Sequence, residues 1–400
     1  MFKNIIKANK NIKKYLIRTP TRYSNGLSEL VNKNIFIKYE NLQHTGSFKY
    51  RGALNKILSL SPDERKNGVI AMSAGNHALG VSLACKLLKI NAIIVMPNNT
   101  PFEKIRRNIE LGAKVEIYGN NILECEQYVN KLVKRNGYNK IHPFNDANVI
   151  CGQGTLMLEM LEDCPDIDTL LVPVGGGGLL SGCAIVAKNL KKNIKVIAIQ
   201  TENFPSFYNT FYNKKCKFSS GSVAEGVAVK KIGNLNTKIL NKLVDKCVLV
   251  NERKIEEAIS FFLMRDKTLV EGAGALGLGA ILQGKIPRTS KNIGLIACGG
   301  NLDSRVLSSL LMRELVRKKQ ILTLSIDMED KPGQLNEISM LCNKEKINIL
   351  EVEHSRFTLD LSVRAARLNI TLETRNQEHA KIIINKIKKL GFKVAEKKEN

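Results

Sequence analysis

The pattern of hydrophobic and polar positions changes character once along the chain. From about residue 35 to residue 300, short apolar runs alternate with longer segments that have a helical period. The runs NIFIKYE, GVIAMS, NAIIVMP, AKVEIYG, TLLVPV and KVIAIQ predict strands. Segments such as FKYRGALNKILSL, PFEKIRRNIELG and NHALGVSLACKLL, with Leu79, Leu83 and Leu87 in phase, predict helices. Strands alternating with helices of about 10–15 residues predict βαβ units around a mostly parallel sheet, the α/β class.

The pattern is different after MRELVRKKQ at residues 312–320. The run ILTLSIDM alternates cleanly, and its apolar positions share one face: Leu322, Leu324, Ile326 and Met328. A helix, the strand-like runs NILEVEHSRF and RLNITLE, a second helix closed by Gly391, and the run FKV follow. The order βαββαβ in about 80 residues predicts a small, separate α+β module.

Composition indicates a soluble globular protein of two or three domains, with 400 residues, 44% hydrophobic and 25% charged. Lys plus Arg exceed Asp plus Glu by 62 − 37 = 25. Such a charge could attract a polyanion, but no block of five or six consecutive basic residues is present. The charge is therefore interpreted as spread over solvated faces, and neither nucleic acid nor a membrane is expected as a partner.

Cysteine usage and the N-terminal segment bear on location. Nine cysteines occur without a CxxC pair or a zinc-type spacing, which is typical of reduced cytosolic thiols. The first residues, MFKNIIKANKNIKKYLI, lack the apolar core and cleavage site of a secretory signal, so a cytoplasmic location is expected. Residues 170–187 are uncharged, but four glycines and Pro173 favour a strand, a loop and a helix start over a membrane span.

The four consecutive glycines in VPVGGGGLLSG, Gly175–Gly178, are the first candidate binding feature. Glycines let a backbone approach a bulky anion closely, and the helix start that follows attracts negative charge. No GK[ST] sequence follows, which excludes a Walker-type nucleotide loop. The GxGxxG match at Gly272–Gly277 lacks a clear acid after a second strand, so it is not interpreted as a dinucleotide site.

Lys49 in QHTGSFKYRGA is the second candidate. It begins a predicted helix, with Thr45 and Ser47 as possible capping residues. The positive helix end and partial desolvation both favour a neutral amine, which can form a Schiff base. SAGNHALG at 73–80 and IACGGNLDS at 296–304 add two small-residue turns at strand ends. A Schiff-base lysine, an anion-binding loop and two such turns together indicate pyridoxal phosphate as cofactor.

These segments resemble a known family. KYENLQHTGSFKYRGA, SAGNHALG, GQGT, VPVGGGGLLSG, EGAGAL and CGGNLD resemble the threonine dehydratase (threonine ammonia-lyase) branch of the tryptophan-synthase-like pyridoxal phosphate enzymes. The resemblance spans residues 1–318 and implies the two-lobed fold type II, with a smaller lobe at roughly 40–150 inserted in the larger one. Residues 321–400 resemble an ACT domain, through DKPGQL and INILEVEHSR.

The resemblance implies a role for each matching residue. Lys49 is expected to form the Schiff base and then to remove the α-proton of the substrate. Asn76 is expected to bond the 3′-oxygen of the cofactor, and Cys298 to face its pyridine nitrogen. Backbone amides are expected to bind the phosphate at Gly175, Gly176, Gly177, Gly178 and Leu179. The substrate carboxylate is expected near Ser73, Gly75 and His77.

The implied activity is conversion of L-threonine to 2-oxobutanoate and ammonia, with L-serine as a second substrate. A serine-preferring dehydratase or a racemase remains an alternative, as does, more remotely, a basic nucleic-acid-binding protein on a degenerate enzyme fold. Ala74 stands where serine racemases carry a proton-exchanging serine. No metal site is expected, because Gln200 and Ser206 replace the Glu and Asp of metal-binding relatives. The ACT resemblance implies an amino-acid effector and a homodimer or homotetramer.

Overall fold

The computed structural model describes residues 1–356 and 359–397. The strands, in chain order, are β1 (Thr21–Tyr23), β2 (Asn34–Lys38), β3 (Val69–Met72), β4 (Ala92–Met96), β5 (Lys114–Ile117), β6 (Asn139–Lys140), β7 (Thr169–Pro173), β8 (Lys195–Thr201), β9 (Lys246–Val250), β10 (Asn292–Ile296), β11 (Ile321–Glu329), β12 (Asn348–Ser355), β13 (Ala365–Glu373) and β14 (Lys393–Glu396). The chain divides into two compact units, Met1–Leu302 and a second unit from Asp303 onward.

The helices account for most of the remaining ordered backbone. In chain order they are α1 (Phe2–Ile12), α2 (Asn25–Val31), α3 (Lys49–Leu58), α4 (Pro62–Asn67), α5 (Asn76–Leu88), α6 (Phe102–Glu110), α7 (Ile122–Asn136), α8 (Ala147–Asp163), α9 (Gly178–Leu190), α10 (Ser206–Tyr212), α11 (Asn234–Leu243), α12 (Glu252–Arg265), α13 (Gly272–Leu282), α14 (Ser304–Arg317), α15 (Gln334–Lys344) and α16 (Gln377–Lys389).

Two sheets organise the first unit. The larger has the order β1-β2-β10-β7-β8-β9, and all its neighbours are parallel except β1 and β2. The smaller has the order β5-β4-β3-β6 and is wholly parallel. All four of its strands lie between β2 and β7 in the sequence, so the smaller sheet is an insertion in the larger one. The predicted α/β class is confirmed, and every residue of β3, β4 and β7 is buried, as expected of parallel strands covered on both faces.

One detail of the predicted helix faces is wrong. Leu87 in α5 is 46% exposed and does not join the core. The other two predicted positions do pack inward, since Leu79 is buried and Leu83 packs against the core. Where α5 meets α3, its buried face has small residues, including Ala78, Ala84 and Gly80. A Cβ built on Gly80 would lie 3.1 Å from the backbone nitrogen of Tyr50 in α3, so the two helices approach closely there.

A network of buried charges fixes the start of α3. Arg51 donates to Glu40 and to Glu159 with distances of 2.7–2.8 Å, and Lys38 donates to Glu159 at 2.7 Å and to the carbonyl oxygen of Thr19 at 2.6 Å. None of these side chains is more than 9% exposed. Two cations and two anions balance, as buried charges require. The network joins β2, α3 and α8 within two positions of the lysine that the sequence singled out.

The second unit has the predicted βαββαβ order. Its sheet has the order β12-β13-β11-β14, with all pairs antiparallel. The four apolar positions predicted on one face of β11 are buried, and they pack with residues from α15 and α16 in one core. The predicted α+β module is therefore confirmed. The helix α14 belongs to this second unit and contacts β11.

The uncharged segment at 170–187 folds as the sequence indicated. It contains β7, the glycines and the first turns of α9. Among the described residues, no helix has both the length and the apolar character needed to cross a membrane.

Candidate active site

Turns from the two sheets of the first unit meet at one place. Asn76 begins α5 directly after the turn that follows β3, the turn after β10 holds Cys298, and β7 leads into the glycine loop, Gly175–Gly178. The backbone nitrogen of Phe48 donates to the carbonyl oxygen of Cys298 at 3.1 Å, which brings the start of α3 to the same place. The lysine, the asparagine, the cysteine and the glycines that the sequence singled out are therefore brought together. In parallel sheets this strand-end region is where ligands bind.

The predicted capping of α3 is wrong. Phe48 occupies the N-cap position, and no side chain caps the helix. Among the residues that the structure describes, the buried hydroxyls of Thr45 and Ser47 have no hydrogen-bond partner. Ser47 is instead held by an isolated β-bridge to Gly299, so backbone pairing with a distant segment sets the entry to the helix. Two unpaired buried hydroxyls beside Lys49 are unusual in a structural turn and typical of a binding site.

Lys49 is the first residue of α3, and its amine is poised to lose its proton. The Nζ atom donates to the carbonyl oxygen of Pro143 at 3.0 Å and lies 5.3 Å from the centre of the Phe48 ring. Burial lowers its pKa to about 8, and the nearby carboxylate of Glu271 opposes part of that shift. At pH 7 about a tenth of such amines is neutral, against roughly one in 2,500 for a lysine of ordinary pKa.

The glycine loop is shaped to receive an anion. Gly177 has φ of +97°, a conformation that favours glycine, and a Cβ on Gly176 would lie 2.2 Å from the ring of Phe144. The helix α9 begins at Gly178 without a side-chain cap. Within the described ranges, the backbone amides from Gly175 to Leu179 donate no hydrogen bond to another backbone group outside regular elements. Buried amides at a helix start are donors of the kind that bind anions in proteins.

Asn76 lies in a chain of hydrogen bonds that sequence reasoning missed. Its Nδ2 donates to both carboxylate oxygens of Glu271 at 2.9 Å, and its Oδ1 accepts from Nδ2 of Asn301 at 2.6 Å. Oδ1 of Asn301 in turn accepts from Arg107 at 3.1 Å. Burial raises the pKa of Glu271 to about 7, while the bonds from Asn76 and the charge of Lys49 hold it down. The orientation of the Asn76 amide is thereby fixed.

Cys298 and the predicted substrate residues carry no charge at neutral pH. Burial raises the pKa of the Cys298 thiol well above its usual range. Burial, and then the charge of Lys49, lower the pKa of His77 to about 3, and its Nε2 bonds to the carbonyl oxygen of Ile141 at 2.9 Å. Because a carbonyl only accepts, Nε2 carries the proton and the buried Nδ1 is left without a partner. Ser73 Oγ accepts from the backbone nitrogen of Gly75 at 3.1 Å.

The segment His142–Phe144 is a further part of the site that the motifs did not identify. Nδ1 of His142 accepts from the backbone nitrogens of Phe144 and Asn145 at 3.2 and 2.9 Å. Burial, and then the charge of Lys140, lower the pKa of His142 to about 4, so Nδ1 stays available as an acceptor at neutral pH. The turn places one carbonyl on the Lys49 amine and one aromatic ring under the glycine loop.

The lowered pKa predicts a distinct chemical reactivity for Lys49. In cofactor-free protein, its modification by an amine-selective reagent should rise with pH to a midpoint near 8, because only the neutral amine reacts. Glu271→Gln should move that midpoint to lower pH, since it removes the anion that favours the ammonium form. Peptide mass mapping across a pH series measures both, with Nα-acetyl-lysine as the reference. A Lys49 midpoint above pH 10 would contradict the assigned burial of the amine.

Comparison with known proteins gives the family. The pyridoxal-phosphate dependent enzyme family matches residues 12–299, and the ACT domain matches residues 317–391. The L-threonine ammonia-lyase of Thermotoga maritima is 39% identical over 393 residues, which cover 98% of this chain and 98% of that protein.

Solved structures agree with the fold. The serine racemase from Dictyostelium discoideum is 36% identical with a TM-score of 0.71, covering 76% of this chain and 99% of that one. The processed form of threonine deaminase isoform 2 from Solanum lycopersicum is 33% identical with a TM-score of 0.72, covering 78% of this chain and 92% of that one. The chain therefore belongs to the family of pyridoxal-phosphate-dependent enzymes and carries a C-terminal ACT domain.

Proposed function

We propose that this protein is a threonine ammonia-lyase, which converts L-threonine to 2-oxobutanoate and ammonia. The observation that carries the proposal is the meeting of a poised amine, Lys49, with the unpaired amides of the glycine loop. Similarity to the L-threonine ammonia-lyase of Thermotoga maritima over 98% of both chains supports the choice of substrate.

The residues present fit pyridoxal phosphate. Lys49 would hold its aldehyde carbon covalently, and Asn76 Nδ2 would bond the oxygen next to that carbon in place of one of its two bonds to Glu271. The amides of Gly175–Gly178 and Leu179 would receive the phosphate, whose charge matches unpaired donors at a helix start. Cys298 would face the ring nitrogen, where its neutral thiol cannot hold a proton on that nitrogen as a carboxylate would.

Bound pyridoxal phosphate supplies an electron-withdrawing ring that stabilises negative charge at the substrate Cα. When the substrate amine replaces Lys49 at the aldehyde carbon, the freed Nζ would take the proton from the substrate Cα, because a pKa of about 8 for the free amine leaves a usable neutral fraction at physiological pH. The weaker electron demand set by the neutral Cys298 favours loss of the β-hydroxyl over transamination. Water lost at Cβ is regained when ammonia leaves, so the net products are 2-oxobutanoate and ammonia.

The turn after β3 supports a role in binding the substrate carboxylate. Ser73, Gly75 and His77 lie within one turn, and the neutral His77 would act through hydrogen bonds rather than through charge. Ala74 in the same turn has a methyl group that cannot exchange protons. Since racemisation needs a proton donor on the opposite face, Ala74 favours elimination over racemisation, despite the fold shared with a serine racemase.

Turnover of threonine tests the proposed reaction. The holoenzyme should release 2-oxobutanoate, and Lys49→Ala should lower kcat by about 10²–10⁴-fold or more, because the base is lost. Lys86→Ala is the matched control, since this lysine lies on the exposed side of α5, where its amine donates to the carbonyl oxygen of Glu110 at the surface. We expect a higher kcat/KM for threonine than for serine, and no D-serine in residual serine. A cofactor-loaded enzyme that makes no ketoacid would reject the proposal.

For the domains, we propose a catalytic part at residues 1–318 and an ACT regulatory part at 321–400. The strands of the inserted sheet, which run from 69 to 140, support a smaller lobe at roughly 40–150. The regulatory part would bind an amino acid, isoleucine or valine, near Asp330–Gly333, and the assembly would be a homodimer or homotetramer. The nine free cysteines are compatible with a reducing cytoplasm.

Removal of residues 321–400 tests the regulatory role. The shortened enzyme should keep threonine turnover and lose its response to isoleucine and valine, because an effector acts only through a state that it binds better. Initial rates with each amino acid, on full-length and shortened enzyme at equal cofactor loading, measure this. An amino-acid response that survives the deletion unchanged would contradict it.

A further inference from the structure

We propose that two buried amide side chains, Gln200 and Asn236, are positioning residues that hold the glycine loop in the shape that binds phosphate. Neither belongs to the motifs that indicated the cofactor. This inference rests on the cofactor site proposed above. It names the residues that hold the glycine loop in shape before phosphate binds.

Gln200 holds the entry to the loop. It lies in β8 and is fully buried. Its Oε1 accepts from the backbone nitrogens of Phe207 and Tyr208 at 3.0 and 3.1 Å, which fixes the orientation of the amide. The Nε2 group then donates to the carbonyl oxygen of Val174 at 3.2 Å and to Ser206 Oγ at 3.0 Å. Both acceptor and both donor positions of the amide are used. One of these bonds holds the carbonyl of Val174, the residue before Gly175.

Asn236 holds the middle of the loop. It lies in α11, is fully buried, and its Oδ1 accepts from Ser181 Oγ at 2.8 Å. Its Nδ2 donates to the carbonyl oxygens of Gly176 at 2.9 Å and Phe144 at 3.0 Å. One side chain thus ties the glycine loop to the aromatic turn beneath it and to the first turn of α9.

Because of peptide geometry, a hydrogen bond that holds a carbonyl also sets the direction of the next N–H group, including those proposed to bind phosphate. In a planar trans peptide, the carbonyl of one residue and the N–H of the next point in opposite directions. A bond to the Val174 carbonyl therefore directs the N–H of Gly175, and a bond to the Gly176 carbonyl directs the N–H of Gly177. With these carbonyls held by buried amides, both N–H groups point away from the protein partners that hold the loop. Without Gln200 and Asn236, the Gly176 carbonyl would keep its longer bond from the backbone nitrogen of Gly233, at 3.2 Å, but the peptide planes of the glycines would rotate more freely.

The expected effect is a loss of affinity confined to the phosphate. Gln200→Met and Asn236→Leu keep the approximate shape of each side chain and remove its donor without adding charge. Cofactor-stripped enzyme is titrated with pyridoxal phosphate and with pyridoxal, which can link to Lys49 but has no phosphate. Each variant should lower the ratio of the two affinities at least tenfold and leave pyridoxal binding close to wild type.

Control variants distinguish a positioning role from a general loss of folded structure. Asn209→Leu removes a half-buried amide whose hydrogen bonds, within the described residues, are to the backbone of Cys216 at 2.9 Å each way, and it should leave the ratio unchanged. Where an apolar variant does not fold, by circular dichroism, Asn236→Asp replaces it. Its carboxylate cannot donate at pH 8, but the protonated acid can, so the ratio should recover as the pH falls.

The outcomes are distinct. An unchanged ratio in the folded variants, or an equal loss of both affinities, would overturn the positioning role. A wild-type enzyme that binds pyridoxal as tightly as pyridoxal phosphate would instead overturn the proposed cofactor site itself.

Discussion

The site depends on strong hydrogen-bond donors that are kept unpaired inside the protein. Leaving a buried amide without an acceptor costs about 1–3 kcal/mol, so a fold keeps such groups only where something else holds them in place. In the described part of the chain, the amides of the glycine loop donate to no backbone acceptor, while the carbonyl of Val174, just before the loop, is bonded to Gln200 and that of Gly176 to Asn236. If the loop binds phosphate as proposed, the folded chain bears this cost before the ligand binds.

Few charged side chains lie around the amine of Lys49. The histidine and cysteine side chains in the site are neutral. The nearby carboxylate of Glu271 accepts hydrogen bonds from Asn76 and interacts through its charge with Lys49. The buried ion pairs lie in the network around Arg51, which joins α3 to its neighbours. This network fixes the helix without adding a net charge. An excess of 25 positive charges over the whole chain thus says little about the site, which is set by a few buried groups.

Sequence patterns predicted the parts of the site that lie at strand ends. The glycine loop and the turns with Asn76 and Cys298 follow β7, β3 and β10, and the topology of parallel sheets brings such turns together. Contacts between distant segments could not be predicted in this way. Glu271 is 195 positions from Asn76, and nothing in a local pattern marks that pair.

The wrong predictions have the same origin. Thr45 and Ser47 have the composition of helix caps, but pairing with Gly299 sets the backbone there instead. Leu87 is in phase with Leu79 on α5 but is exposed, while the close contact with α3 is made at Gly80. In each case tertiary contacts overrode a local preference.

The residue that carries the cofactor covalently is the most direct test of the role of Lys49. Reduction of the holoenzyme with borohydride makes the covalent link permanent, and peptide mass mapping then locates it. We predict a pyridoxyl label on Lys49 alone. A label on another lysine, or a loaded enzyme without any label, would contradict it.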